Sequence, residues 1–156
     1  DNVSLIYNGI CHIDASYGGD DGTAFTIIKE RGDKLIVFGK RFSKHVDDCL
    51  PEILAYRDMY QAGSVACEDN ADKGYLKKEL RKMGVVAHGY HESMNKFVKI
   101  STYLKKHWPN ILFVQDTDPE YINEILDYTE NAAHDDSPDS LASIIRKLKG
   151  KGKWLI

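Results

Sequence analysis

IYNGICHIDAS, residues 6–16, opens a run of three β-rich stretches that TAFTIIKE (23–30) and KLIVFGKR (34–41) complete. Clusters of Gly and Asp separate the stretches, and such clusters are typical of turns. Strands that follow one another through short connections pair antiparallel. The first quarter of the chain is therefore predicted to form a three-stranded β-meander.

The rest of the chain alternates between helical and strand patterns. Short apolar runs that predict strands lie at 65–67, 85–87 and 111–114. Helical spacing of apolar residues precedes and separates these runs, with Pro51 at the first position of one helix and Ser137 at the start of the last. A meander continued by β-α-β units predicts an α/β fold, in which a mixed sheet carries helices on both faces.

Length and composition are those of one globular domain. The chain has 156 residues, of which 42% are hydrophobic and 29% charged, and no linker divides it, so we expect a single domain over 1–156. Residues 149–156 are predicted to be a flexible basic tail. No apolar run approaches the roughly 20 residues of a membrane helix, and the first residues lack a signal-peptide pattern, which favours an intracellular protein.

Cysteine content and charge exclude some classes of site. The three cysteines are widely spaced and form no C-x-x-C pair, so we expect reduced thiols in the core and no zinc site. The net charge of −3 argues against a generally basic surface for nucleic acid. A metal site made of carboxylates would itself contribute negative charge, so a metal-dependent nuclease stays open.

Two carboxylates end predicted strands. Asp14 ends the first strand, and Glu68 ends the fourth. Because β-α-β connections favour placing these strands side by side, both carboxylates would come within reach of one cation. Asp14 taken alone also fits a turn residue, and Asn70 fits either a site role or a helix cap.

Three aspartates crowd the start of the last helix, in HDDSPDSLA at 134–142. A helix N-terminus offsets only about 0.3–1 kcal/mol of the cost of each charge. Capping explains one aspartate but not Asp135, Asp136 and Asp139 together, whereas a divalent cation explains all three. Asp136 and Asp139 share a face of the first turn. His134 fits an auxiliary ligand, a proton-transfer group or a structural residue.

These segments together resemble a known family. CHIDAS (11–16) with GGD (18–20), then CEDN (67–70), then HDDSPDSLA resemble the three acidic motifs of the nuclease domain in large terminase subunits of tailed bacteriophages. The order and spacing hold over nearly the whole chain. The last motif also resembles the helix start of Holliday-junction resolvases. The resemblance implies a ribonuclease H-like fold and metal-dependent cutting of double-stranded DNA without marked sequence preference.

The resemblance also implies roles for individual residues. Metal ligands and catalytic groups would be Asp14, Glu68, Asp136 and Asp139, with Asp135 as a further candidate ligand. Oxygen ligands suit Mg²⁺ or Mn²⁺, and two ions can act on one phosphate. Asp14 would bridge both ions, Glu68 would hold one, and Asp136 with Asp139 would hold the other. Apart from the resemblance, Lys73, Lys96 and Lys99 follow strand ends on the expected side of the sheet and are candidate DNA-phosphate contacts, although a solvated position is the more common role for each single lysine.

Partners follow from the same resemblance. They are double-stranded DNA, an ATPase domain, a small terminase subunit and the capsid portal, in the cytoplasm of an infected bacterium. The sequence has no G-x-x-x-x-G-K-[ST] phosphate loop, so the ATPase domain would lie outside this chain. The alternatives are a junction resolvase, a ribonuclease H, or a catalytically silent module that docks on DNA or a portal. Retention of all four acids argues against the silent module.

Overall fold

The computed structural model describes residues 2–19, 21–70 and 72–150. Within these ranges one sheet has the strand order β5-β4-β1-β2-β3-β6. Its strands are β1 (Ile10–Asp14), β2 (Thr23–Arg31), β3 (Lys34–Phe42), β4 (Val65–Glu68), β5 (Ala87–Tyr90) and β6 (Ile111–Phe113). The first three pair antiparallel, whereas β4, β5 and β6 join in parallel. The predicted mixed sheet is confirmed.

Helices cover both faces of this sheet. They are α1 (Asn2–Ile6), α2 (Val46–Met59), α3 (Tyr75–Lys82), α4 (Lys96–His107), α5 (Pro119–Leu126) and α6 (Asp136–Lys149). Neighbouring residues of a strand point to opposite faces. Phe38 accordingly packs in the core that contains α2 and α3, and Val37 in the core that contains α4, α5 and α6. The predicted α/β fold is confirmed.

The first strand is shorter than the apolar pattern predicts. It begins at Ile10 instead of residue 6, and residues 2–6 form α1. Asn8 has a φ of 60°, in the left-handed region, and a Cβ on Gly9 would lie 2.7 Å from the Ile28 carbonyl oxygen. The chain therefore turns here and passes close to β2 before it can extend.

Two other element boundaries also differ from prediction. Helix α2 begins at Val46, and Pro51 lies inside it, where it removes one backbone hydrogen bond. The Val85 amide donates to the Leu80 carbonyl and closes the end of α3, so β5 starts only at Ala87. Apolar pattern locates such elements but not their ends, because the end is decided by hydrogen bonds that the pattern does not encode.

The cysteines and the end of the last helix were also predicted from the sequence. All three cysteines are buried and unpaired, as predicted. Lys149, predicted to begin a tail, is the last residue of α6, and its ammonium pairs with Glu30. Residues 151–156 of the predicted tail lie outside the described residues. No helix in the described part of the chain is both long and apolar enough to cross a membrane.

Candidate metal centre

Asp14 and Glu68 lie next to each other at the carboxyl ends of two neighbouring inner strands. β1 and β4 are parallel neighbours, as predicted, and Ile13 pairs with Cys67 in their register. Ile13 and Cys67 point into the core that contains α2 and α3. Because strand side chains alternate, the two residues that follow point to the opposite face, where α6 packs. The strand order thus delivers two carboxylates to the N-terminal end of α6.

Asp139 joins these two carboxylates at one narrow cavity. The cavity has a volume of about 80 Å³, and Asp14, Glu68 and Asp139 line it together with Asp72 and Tyr90. No described residue donates a hydrogen bond to the Asp14 or Glu68 carboxylate. Acids of β1, β4 and α6 therefore meet at one site together with Asp72, and Asp14 and Glu68 are free to bind a ligand in the cavity.

The cavity is electrostatically unfavourable for its own acids. Burial raises the pKa of Asp14 well above its usual range, and the charges of Asp139 and Asp136 raise it further. Burial also raises the pKa of Glu68, again with a contribution from Asp139. Both effects disfavour the charged form, and a bound cation relieves both. The site therefore favours either a proton or a cation.

Two lysines of α4 compensate part of this charge. Lys99 is 2% exposed, and its ammonium lies 2.7 Å from Asp139 Oδ1 and 3.0 Å from Glu92 Oε2 and donates to Ser143 Oγ at 2.9 Å. The Lys96 ammonium lies 3.3 Å from Asp135 Oδ1 and 3.7 Å from Asp139 Oδ2. Asp139 therefore has two ammonium groups beside it.

The environment of Lys99 differs from the one predicted for a DNA contact. Its ammonium is enclosed by Glu92, Asp139 and Ser143 instead of facing solvent. A lysine in this position acts on the acids of the cavity, because its charge cannot reach a phosphate without leaving them. Lys96, with a side chain that is 52% exposed, lies at the surface of the same site.

Asp136 is held away from the cavity. Its Oδ2 accepts a hydrogen bond of 3.0 Å from the Gly22 amide and lies 3.6 Å from Arg41 Nη2. Burial raises the pKa of Asp136 to about 6, with the charge of Glu124 contributing. Asp135 caps α6 through its backbone only, since its side chain makes no capping hydrogen bond and pairs with Lys96. Of the three crowded aspartates, only Asp139 lines the cavity.

The remaining predicted residues also lie apart from the cavity. His134 is exposed in a separate groove beside Arg41. Asn70 accepts from the Glu92 amide and donates to the Glu92 carbonyl, both at 2.8 Å, and so ties together the loops that follow β4 and β5. Lys73 is exposed in a turn before α3, with a φ of 54°.

Two site residues were missed from sequence. His12 is buried, with Nδ1 2.9 Å from Ser140 Oγ and Nε2 2.7 Å from Tyr90 Oη, and burial lowers its pKa to about 3, so the ring is neutral. The sequence could have pointed to His12, because it precedes Asp14 by two residues in β1 and side chains two apart in a strand lie on the same face. Glu92 accepts from Lys99 and Arg146. It lies between β5 and α4, where no local pattern singles it out.

Solved structures of the same architecture come from viral terminases. The large terminase of a thermophilic bacteriophage matches 92% of this chain and 40% of its own, with a TM-score of 0.65 and 14% identity. The magnesium-bound large terminase nuclease of another thermophilic phage, G20c, matches 90% of this chain and 82% of its own, with a TM-score of 0.61 and 15% identity. The manganese-soaked, inhibitor-bound terminase nuclease domain of human cytomegalovirus matches 94% of this chain and 86% of its own, with a TM-score of 0.65 and 10% identity. The chain has the fold of large-terminase nuclease domains.

These structural matches confirm the resemblance to large-terminase nuclease domains that the sequence motifs indicated. No family sequence model and no curated protein matches the chain, and at 10–15% identity the structural likeness shows the fold alone. The chain spans about 40% of the length of the first of these large terminases.

The cavity of this terminase nuclease fold suits a divalent cation in part. Asp14 and Glu68 offer hard oxygen ligands without competing protein donors, which is what Mg²⁺ and Mn²⁺ prefer. Within 2–19, 21–70 and 72–150, however, no three His, Cys, Asp or Glu side chains are arranged to hold a metal ion as they stand. Lys99 and Lys96 both lie beside the Asp139 carboxylate. Two ligands are available, and the third is paired with lysine.

Proposed function

We propose that the chain is a divalent-cation-dependent endonuclease that cleaves double-stranded DNA, as in viral genome packaging. One observation supports this above the others. Asp14 and Glu68, from adjacent parallel strands, end at one cavity with Asp139 and have no hydrogen-bond donor among the described residues. The terminase nuclease fold, with magnesium- and manganese-treated relatives, makes phosphodiester hydrolysis the reaction that this cavity fits best.

Each acid has a proposed part in binding. Two bound cations, Mg²⁺ or Mn²⁺, would supply the charge that activates a water and stabilises the departing oxygen of the phosphate. Asp14, from the β1 strand that contacts both β4 and α6, would hold the cations together with Glu68 and Asp139. Asp136 adds negative charge from outside the cavity and accepts from the Gly22 amide.

Basic residues would position the substrate. Lys96 and Lys73 are exposed enough to contact phosphates, and Lys99 positions Asp139 and Glu92. The partners of a whole large terminase belong to the same proposal: an ATPase domain outside this chain, a small subunit and a portal, in the cytoplasm of an infected bacterium.

A plasmid-cleavage assay tests the function. Supercoiled DNA is incubated with the purified chain and Mg²⁺, Mn²⁺ or chelator, in parallel with linear duplex, four-way junction and RNA–DNA hybrid. We expect cation-dependent cleavage of duplex DNA, and loss of at least about 100-fold in Asp14→Asn, because a carboxylate that would touch both ions is gone. Asp33→Asn, at an exposed turn, is the matched control.

Two results would contradict the proposal. One is cleavage by Asp14→Asn at the wild-type rate while circular dichroism shows an intact fold. The other is activity confined to the junction or the hybrid, which would favour the resolvase or ribonuclease H alternative predicted from the sequence.

A further inference from the structure

We propose that Lys96 controls cation binding in response to substrate: its ammonium lies beside Asp139 Oδ2 in the free protein and moves to a DNA phosphate in the complex, which leaves Oδ2 free to bind a divalent cation while Lys99 stays on Oδ1. The inference rests on the proposed function of the cavity. It assigns to one lysine two successive partners, a carboxylate and then a phosphate.

The two lysines beside Asp139 are not equivalent. The Lys99 ammonium is 2% exposed, donates to Glu92 Oε2 at 3.0 Å and to Ser143 Oγ at 2.9 Å, and forms an ion pair with Asp139 Oδ1 at 2.7 Å, so it has no space to exchange partners. Lys96 has a half-exposed side chain and a longer contact of 3.7 Å to Asp139. Among the residues that the structure describes, its hydrogen bond goes to Asp135 at 3.3 Å. Lys96 can therefore leave Asp139 by side-chain rotation alone, whereas Lys99 cannot.

The position of Lys96 makes such an exchange local. Lys96 is the first residue of α4, and the Asn95 side chain caps this helix by accepting from the Val98 amide at 3.0 Å. Helix α4 packs along α6, which carries Asp139. The backbone of Lys96 is thus fixed beside the cavity while its ammonium lies at the surface, within reach of both a cavity acid and a bound phosphate.

The charges explain why the exchange matters. Burial opposes the charge of Lys96, but Asp139 and Asp135 outweigh burial and raise its pKa above the usual range, so the ammonium is charged at neutral pH. An ammonium beside Asp139 repels a divalent cation and occupies one of its ligands. When a phosphate accepts Lys96, one positive charge leaves the carboxylates. DNA and cation must then bind cooperatively, each strengthening the other.

Manganese titration tests this directly. Mn²⁺ affinity is measured by calorimetry and by electron paramagnetic resonance, with and without a phosphorothioate duplex that resists cleavage. We expect the duplex to tighten Mn²⁺ binding by the wild-type protein. Lys96→Met without DNA should bind Mn²⁺ about tenfold more tightly than wild type, because one repelling charge is gone, and the duplex should tighten Mn²⁺ binding less in this variant than in wild type.

Two controls accompany Lys96→Met. Lys106→Met removes an exposed lysine near the other end of the same helix and should match wild type in every titration. Lys96→Arg keeps the charge and should retain the weak Mn²⁺ affinity of the free wild-type protein. Lys96→Arg tests whether the charge at this position matters, and Lys106→Met tests whether the loss of any lysine of α4 has the same effect.

The outcomes separate this inference from the function. Equal Mn²⁺ affinity in Lys96→Met and wild type, with both folded by circular dichroism, would overturn the role of Lys96 and leave the nuclease proposal standing. Mn²⁺ binding by wild type that ignores the duplex would do the same. No Mn²⁺ binding at millimolar concentration, with or without duplex, would overturn both proposals.

Discussion

The pairing of Lys99 with Asp139 shows how single residues shape this site. The ammonium is enclosed by two carboxylates and a hydroxyl, and Arg146 also binds Glu92 at 2.7 Å. Removing charges from water costs much of what their attraction returns, so such a pair adds little net stability. Its value is positional, because Asp139 and Glu92 are held in one arrangement beside the cavity.

Asp136→Asn should stabilise the cation-free protein at neutral pH. Burial raises the pKa of Asp136 from 3.8 to about 6, so the folded state binds this proton more tightly than the unfolded chain does. The stability linked to that proton is present below about pH 4 and is lost as pH rises through about 6. Above this window the charged carboxylate costs on the order of 2 kcal/mol, which asparagine removes while its side-chain oxygen still accepts from Gly22.

Urea unfolding in chelator between pH 4 and pH 8 measures this effect. The free energies of unfolding of wild type and Asp136→Asn should converge near pH 4 and separate as pH rises, with the variant more stable. Asp33→Asn, at an exposed turn, should follow wild type. Parallel curves for wild type and Asp136→Asn would contradict the assigned cause.

Helix α6 is the element that assembles the site. It packs across β1 and β2, and Ser140 Oγ lies 2.9 Å from both His12 Nδ1 and Thr26 Oγ1. Thr26 Oγ1 also lies 2.6 Å from Tyr121 Oη of α5. This buried network ties α5 and α6 to the sheet one residue beyond Asp139. The position of the third acid is therefore determined by hydrogen bonds to β1 and β2.

Gly39→Ala should displace α5 and destabilise the fold. A Cβ on Gly39 in β3 would lie 2.3 Å from the ring of Tyr121, which is fully buried and tied to Thr26. Overpacking of this kind costs about 1–3 kcal/mol. Urea unfolding measures the loss. Combining Gly39→Ala with Tyr121→Leu should cost less than the sum of the two changes, since the smaller side chain makes room. An alanine variant as stable as wild type would refute the close approach.

Cation binding should be visible at the scale of the whole molecule. The proposed ligands come from β1, β4 and α6, so a bound ion connects elements that separate on unfolding. At 100 times its dissociation constant, Mn²⁺ adds about 2.7 kcal/mol, which raises the melting temperature by about 5 °C or more. Glu68→Gln should lose most of this increase, and Glu120→Gln, at the exposed start of α5, should keep it. Equal increases in both variants would exclude Glu68 as a ligand.

The sequence by itself determined the layout of the protein. Alternating apolar residues and Gly/Asp turns specified the meander, and β-α-β order placed β4 beside β1, so Asp14 and Glu68 were predicted to meet. The three aspartates at the start of α6 marked the third part of the site. These features are local, or follow from rules of chain connection, and a single sequence displays both.

Only the tertiary structure decided how the acids are neutralised. Asp136 and Asp139 share a helical face in sequence, yet Gly22 and Arg41 hold the first outside the cavity, and Lys96 and Lys99 hold the second within it. Glu92 joins Lys99 from an irregular segment. These partners lie 40 to 114 residues apart along the chain or come from loops, so the packing of helices brings them together. The periodicity of a sequence shows only which face of its own element a residue occupies, so it contains no sign of these partners.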